Sequence, residues 1–502
     1  MANSELGTVI STFEGPTTAN FAFVISNTKV RKGQFVQTQT EDGLLIGMVL
    51  EITRANRYFE RAESVAEYEK NSSMVASFPT QDWEYVIANT KALGLFKDRN
   101  LIRSTFPAAP GAKVHETDID MLREFLGFVE NGLNIGKLQN HDVEVKLPLN
   151  NLFQKHLAML AMSGAGKSYL ASVILEELLD RKPEYGRLSV VVVDVHGEYL
   201  GFKQGAYADR TSVFDGRKIR VGLHKVSPQM LCEFLPELNS VQRREISKIM
   251  GELRAERKEM GTAYGMPDLI ARIEQADMNK AVKSSLVGWL LELDTYKLFG
   301  KGDYPIMDEL CRPGRLSVLD LSDLDSQKKK QLIVAYFAKK LFRQRKKGKI
   351  PPFALLVEEA HNFCREKAKA SMSISKPIIE TIAREGRKFG ASLILVSQRP
   401  VQLSTTALSQ CNTNIFLRVT NPYDIKHIAE SCEGIDFSMQ NSITSLRVGE
   451  ALIVGEAVSH PIFVKVRKRK SVKSSKGESL ETLAKKFEEM EVKKKEDVEA
   501  FI

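Results

Sequence analysis

At 502 residues the chain exceeds the size at which a single hydrophobic core keeps growing, so about two or three domains are expected. Hydrophobic residues at 43% and charged residues at 27% make an ordinary globular composition, which excludes a mostly disordered or fibrous chain, and no apolar run approaches the ~18 residues that span a bilayer. The formal net charge of +9, with a pI near 9.0, suits a polyanionic partner such as nucleic acid or an acidic membrane surface, and equally a merely solvated surface.

The N-terminal MANSELGTVIST has neither a basic n-region nor an apolar h-region. Residues 1–105 then read as short strands at 7–12, 21–25, 33–38 and 44–53, the last entered through the turn Glu41-Asp42-Gly43. With residues 83–88 closing it, this is a small all-β module of the barrel or sandwich kind. Pro107-Ala108-Ala109-Pro110-Gly111 marks the exit into a linker over 106–150.

From about 150 the period changes. Apolar runs at 188–193, 353–357 and 392–396 alternate with helical segments, and continuous Val/Leu runs suit strands covered on both faces, so a parallel α/β sheet is expected. Residues 226–300, rich in Leu, Glu, Lys and Arg at helical spacing, read as a helical insertion that divides this core into 151–225 and 301–466. After Val466 the chain turns basic, Arg467-Lys468-Arg469-Lys470, and residues 467–502 are expected as a mobile helix or a disordered tail. The cysteines, Cys232, Cys311, Cys364, Cys411 and Cys432, lack CxxC or Cys/His ligand spacing, and the histidines are dispersed, so neither a zinc site nor a disulfide framework is expected. A reducing, cytoplasmic setting without a membrane anchor fits both features.

The strongest local signal is Ala161-Met162-Ser163-Gly164-Ala165-Gly166-Lys167-Ser168, between the apolar stretch 157–160 and the helical run 169–179. Strand, glycine-rich loop and helix in that order let backbone N–H groups turn around phosphate oxygens while a helix N-terminus faces the anion. Ser163, Gly164, Ala165, Gly166, Lys167, Ser168 and Tyr169 are the nucleotide candidates, with Lys167 on the β/γ-phosphates of ATP and Ser168 on Mg²⁺. Ala161 stands where the pattern has glycine, a change tolerated if its φ stays negative.

The run 353–357 ends in Glu358-Glu359, at the edge of an open α/β sheet where ligands bind. Glu358 is expected to hold the Mg²⁺ hydration shell and Glu359 to polarise the attacking water. A second strand ends in Asp194-Val195-His196-Gly197-Glu198-Tyr199, where Asp194, His196 and Glu198 are candidates for contact with nucleotide, water, metal or a neighbouring subunit; an ordinary turn accounts for the same residues. A third ends in Ser397-Gln398-Arg399-Pro400, with Gln398 placed to sense the γ-phosphate. Arg384 and Arg387, in Arg384-Glu385-Gly386-Arg387-Lys388-Phe389-Gly390, are candidates for fingers that complete a neighbour's ATP site, or for surface ion pairs.

Together these motifs resemble the HerA family of archaeal DNA-translocating ATPases, within the division that includes the FtsK-type DNA pumps. The P-loop at 161–168, D-x-H-G-E-Y at 194–199, E-E-A-H at 358–361, R-E-G-R-K-F-G at 384–390 and S-Q-R-P at 397–400 stand in the family's order. The resemblance implies an N-terminal β-barrel before a RecA-like core, a homo-hexameric ring around double-stranded DNA, and a NurA-type nuclease partner in end resection for double-strand break repair. It also implies nucleotide contacts from a basic residue before the P-loop and from the C-terminal segment, places held here by Lys146 and by Ser459 and His460. Arg365, Lys367 and Lys369, after the acidic strand end, are the DNA-contact candidates; a solvated basic loop fits them equally, and a motor indifferent to sequence needs phosphate contacts rather than base readout. The competing class is an assembly module, a ring in which nucleotide sets oligomeric state and the barrel docks and stimulates a nuclease.

Overall fold

The computed structural model describes residues 4–11, 15–26, 30–56, 59, 62–70, 83–97, 100–432, 435–474 and 480–499. The chain forms two compact units, Met1–Asn151 with Gly434–Arg467, and Leu152–Glu433 with Lys468–Ile502.

The first unit opens with β1 Glu5–Ile10, β2 Asn20–Ile25, β3 Phe35–Gln39, β4 Leu44–Asn56, β5 Glu84–Lys97, β6 Asn100–Ile102 and β7 Lys113–Glu116. Their order is β2-β1-β7-β3-β4-β5-β6, and β2 also pairs with β5, so six antiparallel strands close into a barrel with β6 as an appendage. Alternating side chains send Leu6, Val9, Phe21, Phe23, Val36, Leu45, Val49 and Val114 into one core, and closure leaves no edge within the ring. The long strand β4 bends through register shifts at Ile46/Gly47 and Val49/Glu51; a side chain at Gly47 would press on Thr90 of β5. The expected barrel is present, but its strand β7 lies beyond the Pro/Ala/Gly stretch that the sequence reading takes as the exit. A hairpin of β8 Leu133–Leu138 and β9 Glu144–Leu147 follows.

In that hairpin His141 accepts the Phe35 N–H at Nε2 (2.9 Å), and burial pushes its pKa down to about 4. A ring that must stay neutral to accept this bond loses ground once the unfolded chain binds a proton near pH 6.5. Stability is therefore fully present above that value and falls as pH drops towards 4, by about 2 kcal/mol between pH 7 and 5 for this one residue. Urea titrations at the two pH values are expected to show the fall, and His141→Asn is expected to shrink it.

The second unit contains β10 Leu157–Leu160, β11 Ser189–Asp194, β12 Thr211–Asp215, β13 Val221–Gly222, β14 Phe299–Gly300, β15 Leu316–Asp320, β16 Phe353–Val357, β17 Ala391–Ser397 and β18 Thr413–Phe416. All but β13 and β14 make one parallel sheet in the order β12-β15-β11-β16-β17-β10-β18. Strands β10, β11, β16 and β17 are buried at every position, as their unbroken apolar runs require. The short parallel pair β13–β14 brackets the expected helical insertion, built from Pro228–Phe234, Ser240–Met260, Met266–Gln275 and Lys280–Thr295. Asn239 and Gln242 form a capping box at the start of its longest helix. The remaining strands, β19 Glu450–Gly455 and β20 Ile462–Val466, return to the first unit, where β20 pairs antiparallel with β8 and β19.

The first residues of the C-terminal segment depart from expectation. Residues 468–474 pack on the second unit, where the fully buried Glu176 accepts from the Lys470 N–H (2.8 Å), the Ser471 N–H (2.8 Å) and the Ser471 hydroxyl (2.7 Å). Three bonds to one buried carboxylate tie down a stretch whose composition alone reads as solvated. Leu480–Glu499 is helical.

Candidate functional site

Strand β10 delivers the chain to the loop 161–166, and helix Lys167–Asp180 leaves it. Gly164 (φ 77°) and Gly166 (φ 97°) take left-handed backbone; a Cβ would meet open space at the first and only an ordinary contact with Leu417 (3.7 Å) at the second, so the demand for glycine there is conformational rather than steric. Among the described residues the non-glycines with positive φ are Asn140, His156, Lys297, Glu359 and Lys367. Ala161 is outside that set, which is why its methyl is accommodated. Ser163 and Gly164 are exposed, Ser168 is half-buried at the first turn of the helix, and Gly166 is its N-cap without a side-chain hydrogen bond. The loop thus presents unpartnered helix N–H groups, an anion cradle by construction.

Lys167 Nζ forms an ion pair with Glu359, whose carboxyl is almost wholly buried. Glu359 follows β16 in left-handed backbone (φ 48°, ψ 46°), a strained conformation for a residue with a side chain. Its other oxygen lies 3.3 Å from His361 Nδ1, which is 3.1 Å from the Ser397 hydroxyl at the end of β17. Burial lowers the His361 pKa to about 4, so the ring is neutral. The sequence gives His361 as the last residue of the E-E-A-H motif but assigns it no role; its signal is the spacing, two residues after Glu359.

Glu358 is fully buried, with Oε2 accepting the Val195 N–H at 3.1 Å. Burial first, then the Asp194 and Glu198 carboxylates, hold its carboxyl well above the ordinary range. Glu358 Oε1, Glu359 Oε2, Glu198 Oε2 and the Tyr199 hydroxyl are all buried without a hydrogen-bond partner. Buried polar atoms are normally satisfied. Four orphans around one set of strand ends fit a hydrated divalent cation and a phosphate group. Among the described residues no group of three or more His, Cys, Asp or Glu is placed to hold a metal by itself.

Asp194 accepts from the N–H groups of Gly197 (2.7 Å), Glu198 (3.1 Å) and Tyr199 (2.9 Å). Its carboxylate is thereby committed to shaping the turn that carries Glu198 towards Glu358, while His196 is exposed. The C-terminal strap borders the same region: the Tyr169 hydroxyl accepts the Arg469 N–H at 2.8 Å, and the Ser474 hydroxyl donates to Gly197 O at 2.5 Å.

Gln398 is half-buried directly after β17, on the phosphate side of the sheet. Arg384 and Arg387 are exposed at the opposite side, where strands begin: Ala383 O meets the side chain of His156, just before β10, and the Phe353 N–H at the start of β16 donates to Gly390 O (3.1 Å). Strands of four to seven residues at ~3.3 Å each separate them from Lys167, more than an arginine side chain spans. Neither arginine reaches the phosphate loop of its own chain. Arg365, Lys367 and Lys369 are exposed on the loop after Glu359, with Arg365 and Glu366 backbone-anchored to Ser373 and Gln402. Lys146, Ser459 and His460 belong to the first unit: Lys146 pairs with Glu144 (3.0 Å), and His460 stacks on Phe125 at 4.9 Å with burial lowering its pKa to about 4.

A parallel sheet with a phosphate loop after one strand and paired glutamates after another defines a P-loop ATPase of the RecA-like kind. The fold agrees with that of VirB4 of Thermoanaerobacter pseudethanolicus, at a TM-score of 0.52 and 14% identity, covering 68% of this chain and 97% of that one. Residues 133–341 match the family described as "Helicase HerA, central domain". A probable helicase of Methanocaldococcus jannaschii is 31% identical over 87% of this chain and 86% of its own length. The DNA double-strand break repair helicase HerA of Pyrococcus furiosus is 27% identical over 89% of each chain. The chain belongs to the HerA helicase family.

Proposed function

We propose that this protein is an ATP-driven translocase on double-stranded DNA that works as a homo-hexameric ring, with a NurA-type nuclease, in the end resection that precedes double-strand break repair. The observation that carries the catalytic half is the meeting of Lys167 with Glu359 beside the buried, unpartnered Glu358 oxygen. ATP is the substrate, its β/γ-phosphates held by the N–H groups of the loop and by Lys167. Mg²⁺, when bound, would neutralise phosphate charge, and Ser168 and Glu358 are the residues that would hold it. Glu359 accepts a proton from the attacking water, and Gln398 lies where it senses the γ-phosphate. The exposed cations Arg365, Lys367 and Lys369 are the contacts to the DNA backbone. Among the described residues no helix is long and apolar enough to cross a membrane.

Steady-state ATP hydrolysis with and without linear duplex DNA tests this, with Lys167→Ala as the control for a contaminant. Turnover is expected to rise with DNA and the stimulation to weaken with salt: about six phosphate contacts cost ~10³-fold in affinity between ~50 and ~200 mM. Hydrolysis indifferent to duplex DNA at every salt concentration would leave the ATPase standing and remove the translocase, in favour of a nucleotide-set assembly module.

A further inference from the structure

His156 precedes the phosphate-loop strand β10 and is 2% exposed, in left-handed backbone (φ 64°) that only a built-in constraint sustains. Both ring nitrogens are engaged. The Leu393 N–H of β17 donates to Nδ1 at 3.0 Å, which leaves the ring proton on Nε2, and Nε2 donates to Ala383 O at 2.9 Å. Ala383 lies in the last turn of helix Lys376–Glu385, where carbonyls have no partner within the helix, so the imidazole caps that end. The next residue is Arg384. Two further on, Gly386 packs so closely that a Cβ would collide with Ala391 O and stand 3.1 Å from His156 Cε1. Arg387 follows directly. The far end of the segment is fixed by Arg345 Nε donating to Phe389 O (2.6 Å).

We propose that His156 is the positioning residue for the arginine pair: its imidazole, mounted on the strand that leads to this subunit's own phosphate loop, holds the helix end from which Arg384 and Arg387 reach a neighbouring subunit's ATP. This rests on the reading of those arginines as fingers acting in trans. The geometry gives the link a direction. His156 and Ala161 flank one short, fully buried strand, so the place of the fingers is referenced to the phosphate loop of the subunit that supplies them.

The test is a cycle on the assembled ring, reading kcat for ATP and the Kd of a fluorescent ATP analogue, with thermal melting as the check on folding. His156→Asn tolerates left-handed backbone but cannot bridge Ala383 and Leu393. It is expected to lower kcat by about 10- to 100-fold, the cost of misplacing a catalytic group by about 1 Å, with the analogue's Kd unchanged. His156→Gln, whose amide both donates and accepts, is expected to restore most of kcat. In the Arg384→Ala, Arg387→Ala background, His156→Asn is expected to cause no further fall in the residual rate. An equal fold-loss in both backgrounds overturns the proposal. So does a parallel loss of nucleotide binding or of the folded state, since either shows that His156 serves the fold rather than the fingers. If the double arginine variant alone keeps its kcat, it is the finger reading that fails, whatever His156 does.

Discussion

Glu359→Gln is expected to lower ATP turnover by about 10²- to 10⁴-fold while leaving nucleotide binding intact. The side chain is buried beside Lys167 and His361, and glutamine matches its shape, so the strand end and the left-handed turn persist. On the proposed mechanism, what is lost is the ability to take a proton from water. The substitution also removes the carboxylate that pairs with Lys167, which leaves the lysine cation with phosphate oxygens as its partner. ATP affinity should therefore hold or rise as turnover collapses. Equilibrium binding of a fluorescent ATP analogue alongside steady-state hydrolysis separates the two effects. Lys167→Ala should behave oppositely, with binding and turnover lost together. A Glu359→Gln protein that still hydrolyses ATP at the wild-type rate would move the base elsewhere, with Glu358 the next carboxylate to test.

How far the amino-acid sequence foretells this site depends on which interactions are local. Strands 157–160 and 353–357 were legible to the residue because a strand buried on both faces must be apolar at every position. The phosphate loop was legible because its glycines answer to backbone angles within the loop itself. Strand β7 was not, since Lys113–Glu116 sends only Val114 into the barrel core and its place is set by pairing with β1 and β3. The strap was misread for a related reason. Its lysines and serines look solvated, and what pins them is Glu176, almost three hundred positions away, buried on a helix face where a charge is not expected. His156 carried no signal at all. Its role is set by three elements that meet only in the folded sheet, and a lone histidine in front of an apolar run predicts nothing.

Rings mixed from two inactive variants are expected to recover hydrolysis. Arg384→Ala with Arg387→Ala should lower kcat by ~10³- to 10⁵-fold, the loss that follows removal of an arginine finger. The lengths of β10 and β17 keep both arginines from their own Lys167. A site that retains Glu359 but lacks arginines needs only a neighbour that has them, and a Glu359→Gln subunit is such a neighbour. At equal mixing in a head-to-tail ring, about a quarter of the interfaces pair an intact glutamate with intact arginines. Turnover of the mixture should then exceed the sum of the two separate proteins by orders of magnitude. A mixture no more active than its components, although shown to co-assemble, would mean that the arginines act within their own subunit or not at all. The separation across the sheet rules out the first, so the pair would be left as surface charge.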